Sequence, residues 1–478
     1  MKSICRKGDI VTAVAFMAAL ALIVPGTVGS SCARTPTVVA GGNADLSVMV
    51  QPVQESILKG MPSSFAVALT LTAAALPVLD SEQQGATDLV IVLDRSGSMQ
   101  GLKIDDARRA VVGLLQRLGP EDRLALVTYA NGVEILAPLM AVHSANRRQL
   151  TSLVSRIRSG GGTNLGAGLR CGMDLLACTP TVGRQRKVIL ISDGLANQGV
   201  TDPAALEQMA AAAVEYQFSI STVGVGLNFN ELLMTAIADQ GAGHYYFLED
   251  PRIFARVFEA ELLAMRRVAA ADVEIRIELE PGVQLNSAGG YPLRREENIA
   301  LIYPGNLMSD CRRQFYLNFS LPPTADGMLD IARFEVRYHY EGRMRTICLA
   351  PTLQIACVDD PAEVMAGIQK DVWTRQVIQE DFSRLKNGIA DDIREGNPER
   401  AKFRIQAYKE RQSAVNAVVG SDDVARNLEV DVVALEDQVA ETFAGAPAAV
   451  AEKQKRASKS LQHESYQRRR GKQPLLNP

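Results

Sequence analysis

Leu89-Val90-Ile91-Val92-Leu93-Asp94-Arg95-Ser96-Gly97-Ser98 is the stretch that decides the fold. Five consecutive apolar residues spell a strand buried on both faces, as in a parallel sheet covered by helices. A strand that ends in aspartate puts its carboxylate at the carboxyl edge of the sheet, where such sheets carry their sites. The loop that follows offers two hydroxyls at alternate positions, so both turn toward one point. Gly97 and Gly101 let the backbone come close to that point. Taken alone, D-x-S-x-S also describes plain turns capped by serines.

The surroundings extend the pattern over residues 88–266. Ile104, Ala107, Val111, Leu114, Leu115 and Leu118 form one helical stripe. Leu124 to Tyr129 reads as a strand, and Val133 to Leu136 as a short one beside it. Helices fit 145–158 and 165–177. Val188 to Ile191 is a buried strand, 204–216 a helix and Phe218 to Val225 a strand. A helix near 230–239, a strand at Tyr245 to Leu248 and a helix at 251–266 complete the series. Strand–helix alternation of this length implies an α/β fold: a doubly wound, mostly parallel sheet.

Two further segments end at the same edge. Gly160-Gly161-Gly162-Thr163-Asn164 is a glycine-rich loop that delivers a hydroxyl just before a helix. Ile189-Leu190-Ile191-Ser192-Asp193-Gly194 is a second buried strand ending in aspartate. Hydroxyl and carboxylate oxygens, without nitrogen or sulfur, suit a hard dication: Mg2+ first, Ca2+ or Mn2+ next.

This set resembles the metal-ion-dependent adhesion site of von Willebrand factor type A domains. The resemblance covers about residues 86–266, and its three pieces stand in the family's order. It implies a Rossmann-like domain with metal ligands at Asp94, Ser96, Ser98, Thr163 and Asp193. It also implies that the serines and the threonine ligate directly, while the aspartates often act through water. Thr222 to Gly226 and Gly243 to Phe247 are further matches. The resemblance implies no catalysis. Instead, the open metal position takes an aspartate or glutamate from a protein partner, and metal geometry couples to a shift of the last helix, 251–266.

The flanks read differently. Leu46, Val48 and Val50 alternate, as do Phe65, Val67, Leu69 and Leu71. Alternation returns at Val273 to Leu279, Phe315 to Leu321 and Phe334 to Tyr340, each run stopped by a turn signal. Two or three N-terminal strands are too few to stand alone. The α/β domain is therefore expected to be inserted into a β-sandwich built from 34–87 and 267–358; a separate small N-terminal domain is the alternative. Residues 359–445 read as helices, with Asn397-Pro398 and Ser421 as starts and Leu428, Val432, Leu435, Val439 and Phe443 as a packing stripe. The basic stretch in 446–478 reads as a disordered, solvated tail.

Composition bounds the remainder. The 478 residues carry a net charge of −3, which gives no pull toward nucleic acid. Lys2, Arg6 and Lys7, an apolar run from Ile10 to Val24 and small residues to Ala33 form the layout of a secretory signal in 1–33. Cys32 follows as a candidate lipidation site, although Gly29 replaces the usual leucine. The expected location is the bacterial cell envelope, periplasmic or lipid-anchored, or outside the cell. With Cys32 lipidated, Cys171, Cys178, Cys311, Cys348 and Cys357 allow two disulfides of unreadable pairing. An enzyme is the main competitor. However, Ser96 stands where a phosphoryl-transfer aspartate motif wants a second acid, Ala167 replaces the lysine of a phosphate loop, and neither G-x-S-x-G nor H-E-x-x-H occurs. A metal of purely structural role, with partner binding by the sandwich or the helices, is the other alternative.

Overall fold

The computed structural model describes residues 38–75, 86–179, 183–322 and 327–470. The segment expected to be a secretory signal, and Cys32, lie outside these. Four strands come first: β1 (Val39–Gly42), β2 (Leu46–Pro52), β3 (Ser56–Leu58) and β4 (Ser63–Ala73). The α/β domain follows as β5 (Thr87–Asp94), α1 (Leu102–Arg117), β6 (Arg123–Tyr129), β7 (Val133–Ala141), α2 (Ser144–Ser155), α3 (Leu165–Ala177), β8 (Gln185–Ser192), α4 (Pro203–Glu215), β9 (Ser219–Val225), α5 (Glu231–Gln240), β10 (Ala242–Leu248) and α6 (Phe254–Arg266). Its sheet order is β10-β9-β8-β5-β6-β7. All neighbours run parallel except β7, which returns antiparallel to β6.

The apolar run of β5 is explained by its two coats. Leu89, Ile91 and Leu93 face a core shared with α1, α2 and α6. Val90 and Val92 face the opposite core, shared with α3, α4 and α5. Gly172 lets α3 lie close, since an added Cβ would stand 2.4 Å from Val92 Cγ2.

The strands after the domain are β11 (Val268–Leu279), β12 (Gln284–Ala288), β13 (Leu293–Glu296), β14 (Ile299–Met308), β15 (Arg312–Leu321), β16 (Gly327–Tyr340), β17 (Arg343–Cys348) and β18 (Leu353–Val358). One sheet runs β1-β2-β4-β15-β12 and the other β13-β14-β11-β16-β18-β3, with β17 beside β16. β4 pairs along its length with β15, from Ser63↔Leu321 to Thr72↔Arg312. The N-terminal strands are thus completed by chain that follows the α/β domain, and that domain is inserted in the sandwich. Inward residues such as Leu69, Ile275, Phe319 and Phe334 fill the space between the sheets. The five described cysteines form no disulfide. Cys171 on α3 and Cys178 at its C-terminal cap lie about two helical turns apart, about 10 Å, beyond disulfide reach. Cys348 and Cys357 follow one another along the same side of β16, opposite Glu335 and Gly327, so the length of strand between them keeps them beyond disulfide reach.

The helices are α7 (Pro361–Ala366), α8 (Lys370–Gln376), α9 (Phe382–Arg394), α10 (Pro398–Val419), α11 (Asp422–Arg426), α12 (Val432–Thr442) and α13 (Pro447–Arg470). Asn397 caps α10 through the Arg400 amide, and Ser421 caps α11 through the Val424 amide. Val432, Leu435 and Val439 are buried, with Leu428 and Phe443 packed against the same cluster. That cluster also covers Ala66, Ala68 and Tyr316 on the outer face of the first sandwich sheet.

Residues 447–470 correct the expectation of a disordered tail. They form a 24-residue helix in which Ala457, Lys459, Leu461, Ser465 and Tyr466 are buried. Two of its positive charges, Lys459 and Arg470, are buried and matched by distant chain. Lys459 reaches Glu231 at 2.5 Å and the Phe229 carbonyl at 2.7 Å. Arg470 pairs with Asp239 and lies over the Tyr291 ring of the sandwich at 3.7 Å. The Tyr466 hydroxyl accepts the Tyr245 amide of β10 at 3.0 Å. Counting charges within the segment overlooked partners more than 200 residues away.

Tyr466→Ala is expected to lower stability in urea melts by about 3–4 kcal/mol, the cost of deleting a buried ring. Arg456→Ala, which breaks an exposed pair with Glu249, is expected to change it by less than about 1 kcal/mol. Equal effects would contradict a docked α13. His463 lies edge-on to Tyr245 and Phe247, and burial pushes its pKa down to about 4. An unfolded histidine titrates near 6.5, so between these values the unfolded chain binds the extra proton. Stability is therefore lost as pH falls from about 6.5 to about 4, by roughly 3 kcal/mol from this group. His463→Gln should flatten that part of the profile, and an unchanged slope would refute the assignment.

Candidate metal centre

The five expected ligand residues meet at the carboxyl edge of the sheet. Asp94 ends β5 and is fully buried, as is Asp193 just beyond β8. These strands are neighbours, with Leu93 opposite Ile191. The Ser96 amide donates to Asp94 Oδ1 at 2.7 Å, and the Ser192 hydroxyl donates to Asp94 Oδ2 at 2.9 Å. The Ser96 and Ser98 hydroxyls are 3.0 Å apart, and Ser98 donates to Asp193 Oδ1 at 2.6 Å.

Thr163 arrives from the third segment. The glycine loop is tied to the β5 loop by Gly97 N to Gly161 O at 3.0 Å and Gly160 N to Arg95 O at 2.7 Å. Asn197 accepts the Thr163 amide at 2.8 Å and returns its own amide to the Thr163 carbonyl at 3.1 Å. Gly194 marks the point of convergence. A Cβ there would lie 3.4 Å from Ser98 Oγ and 3.5 Å from Thr163 Oγ1.

Electrostatics single out Asp94. Burial raises its pKa, hydrogen bonds from Ser96 oppose that shift, and the Asp193 charge adds to it. Among the described residues no basic side chain pairs with Asp94, whereas Asp193 has Lys103 at 2.5 Å. A buried carboxylate without a cation is costly. Also among the described residues, no three His, Cys, Asp or Glu side chains cluster as a metal site. The donor set here is two carboxylates and three hydroxyls, all oxygen, and fits a hard dication.

Several contributors escaped sequence reasoning. Ser192 and Asn197 act through hydrogen bonds that cross segments. Tyr129 is buried beneath the loop, donates to the Ile191 carbonyl at 2.9 Å and accepts the Arg95 amide at 2.9 Å. Lys103, which no motif marks in the sequence, reaches Asp193 across segments. Asp105 and Asp106 pair with Arg108 and Arg109 on α1 instead of facing the site. The histidines have structural surroundings: His143 caps α2, His244 meets Glu261 and His339 meets Asp272. Glu261 is 1% exposed on α6 and binds Lys187, Ser221 and Tyr246 as well as His244. Burial alone would raise its pKa, but Lys187 and His244 hold it far below the usual carboxylate range.

A doubly wound sheet with these three loops on one edge defines the class: residues 88–260 are a von Willebrand factor type A domain, and the model of that family matches this segment. YfbK of Escherichia coli K12 is 31% identical over 207 residues, which are 42% of this chain and 35% of that protein. Inter-alpha-trypsin inhibitor heavy chain H3 of Mesocricetus auratus is 30% identical over 320 residues, 64% of this chain and 33% of that protein. The chain thus spans about a third of the length of these relatives. A solved von Willebrand factor type A structure from Catenulispora acidiphila is similar with a TM-score of 0.69, at 16% identity, covering 91% of this chain and 98% of that one. The likeness therefore extends beyond the inserted domain to the whole three-part fold.

Tyr129→Phe removes the hydroxyl bond that ties β6 to the end of β8. It is expected to cost about 1–2 kcal/mol in denaturant melts. No measurable loss would contradict a supporting role for Tyr129 beneath the loop.

Proposed function

We propose that the chain is a non-enzymatic binding protein of the cell envelope that holds one dication, Mg2+ first and Ca2+ or Mn2+ next, and through it grips an aspartate or glutamate of a protein partner. Ser96, Ser98 and Thr163 would offer direct oxygen ligands. Asp94 and Asp193 would balance charge from behind. Bound there, a dication would supply one electrophilic position for an outside carboxylate, a strong contact once water is excluded.

The observation that carries this reading is the fully buried Asp94, which among the described residues has no ion-pair partner beside the converging hydroxyls. The rim supports a protein partner. Leu102, one residue before Lys103, is 74% exposed, and Leu195, two after Asp193, is 57% exposed. Large apolar residues left in water around a polar centre suit a protein surface more than a free ion. Export, and a lipid at Cys32, rest on the layout of residues 1–33 alone.

Ser98 is exposed, so Ser98→Ala should keep the fold. Excess Mg2+ is expected to raise the melting temperature of the wild type through preferential binding to the folded state. The Ser98→Ala protein should bind Mg2+ at least about tenfold more weakly. In pull-downs from envelope extracts, partners should be held with Mg2+ and released by chelator. A melting curve that ignores Mg2+, or retention that ignores chelator, would sink the reading.

A further inference from the structure

We propose that Lys103 is a built-in counter-cation of the site, which weakens metal binding and strengthens the grip on an acidic partner. The inference rests on the metal reading above. Lys103 Nζ donates to Asp193 Oδ2 at 2.5 Å and to the Ser98 carbonyl at 3.2 Å. Ser98 holds the other Asp193 oxygen, so both are engaged by the chain itself. Gly226, just after β9 with φ +72°, borders the lysine. A Cβ there would stand 3.4 Å from Lys103 Cε and 3.6 Å from Nζ.

The position of this lysine runs against local preference. It lies in the first turn of α1, where the helix dipole disfavours a cation. Residues that break a local rule tend to mark function. The charge balance indicates which function. Asp94, Asp193 and Lys103 together leave the site at net minus one. Arg95 adds nothing net, because Glu134 faces it at 3.9 Å. A dication would bring the site to plus one, which attracts a carboxylate. Without the ammonium, the loaded site would be neutral. Lys103 therefore trades metal affinity for electrophilicity. It is a positioning and charge-setting residue, not a ligand.

The test uses the full chain with Mn2+ and acetate as probes, read by calorimetry and by water-proton relaxation. A single neighbouring charge shifts an ionic equilibrium by about one to three powers of ten. Lys103→Met and Lys103→Gln should bind Mn2+ about tenfold more tightly. The acetate needed to displace water from the bound Mn2+ should rise about tenfold in the same variants. Lys103→Arg should behave as the wild type. Equal or weaker Mn2+ binding by both neutral variants would overturn the proposal while leaving the metal reading intact. No Mn2+ uptake by the wild type would overturn both.

Discussion

Two carboxylates buried at neighbouring strand ends are the constraint on which the site depends. Asp94 and Asp193 are both fully removed from solvent, and like charges so placed repel. The chain answers with hydroxyls, backbone amides and one ammonium rather than with a full set of cations. This arrangement leaves charge to be balanced from outside. The sheet makes it possible, because parallel strands covered by helices bring remote segments to one edge at fixed spacing. Hydrogen bonds that cross segments, from the Ser192 hydroxyl to Asp94 and from the Thr163 amide to Asn197, hold the oxygen-bearing residues in place.

The domain is held firmly to the body of the protein. Arg267 alone separates α6 from β11, and its carbonyl accepts the Ser309 amide of the sandwich at 2.6 Å. Glu261 fixes the middle of α6, and Arg266 reaches Asp122 at 2.8 Å. Breaking a buried pair such as Lys187–Glu261 by removing one partner costs about 3–5 kcal/mol. A shift of the last helix as a free piston would have to disrupt this network. On the other flank, α13 touches the domain, the sandwich and the helices at once, through Tyr466, Arg470 and the Lys386–Glu464 pair.

Much of this was legible because periodicity and strand-end chemistry are local. The run Leu89–Leu93, the alternation at Phe65–Leu71 and the oxygen residues after β5 and β8 each declare themselves within ten residues. Insertion into a sandwich followed from edge protection. What escaped reading depended on contacts distant in sequence. The helix at 447–470 has a polar composition, and its partners Glu231, Asp239 and Tyr245 lie far upstream. Lys103 looked like any exposed helix lysine until the fold brought Asp193 to it. The cysteine pairing could not be read from the sequence, and helix rise and strand rise keep the members of each neighbouring set apart.

An anomalous difference map from crystals grown with Mn2+ tests the central claim most directly. The account expects a single strong peak bounded by the hydroxyls of Ser96, Ser98 and Thr163, with the two buried aspartates behind it. A map without a peak there, or with its only peak elsewhere in the molecule, would contradict it.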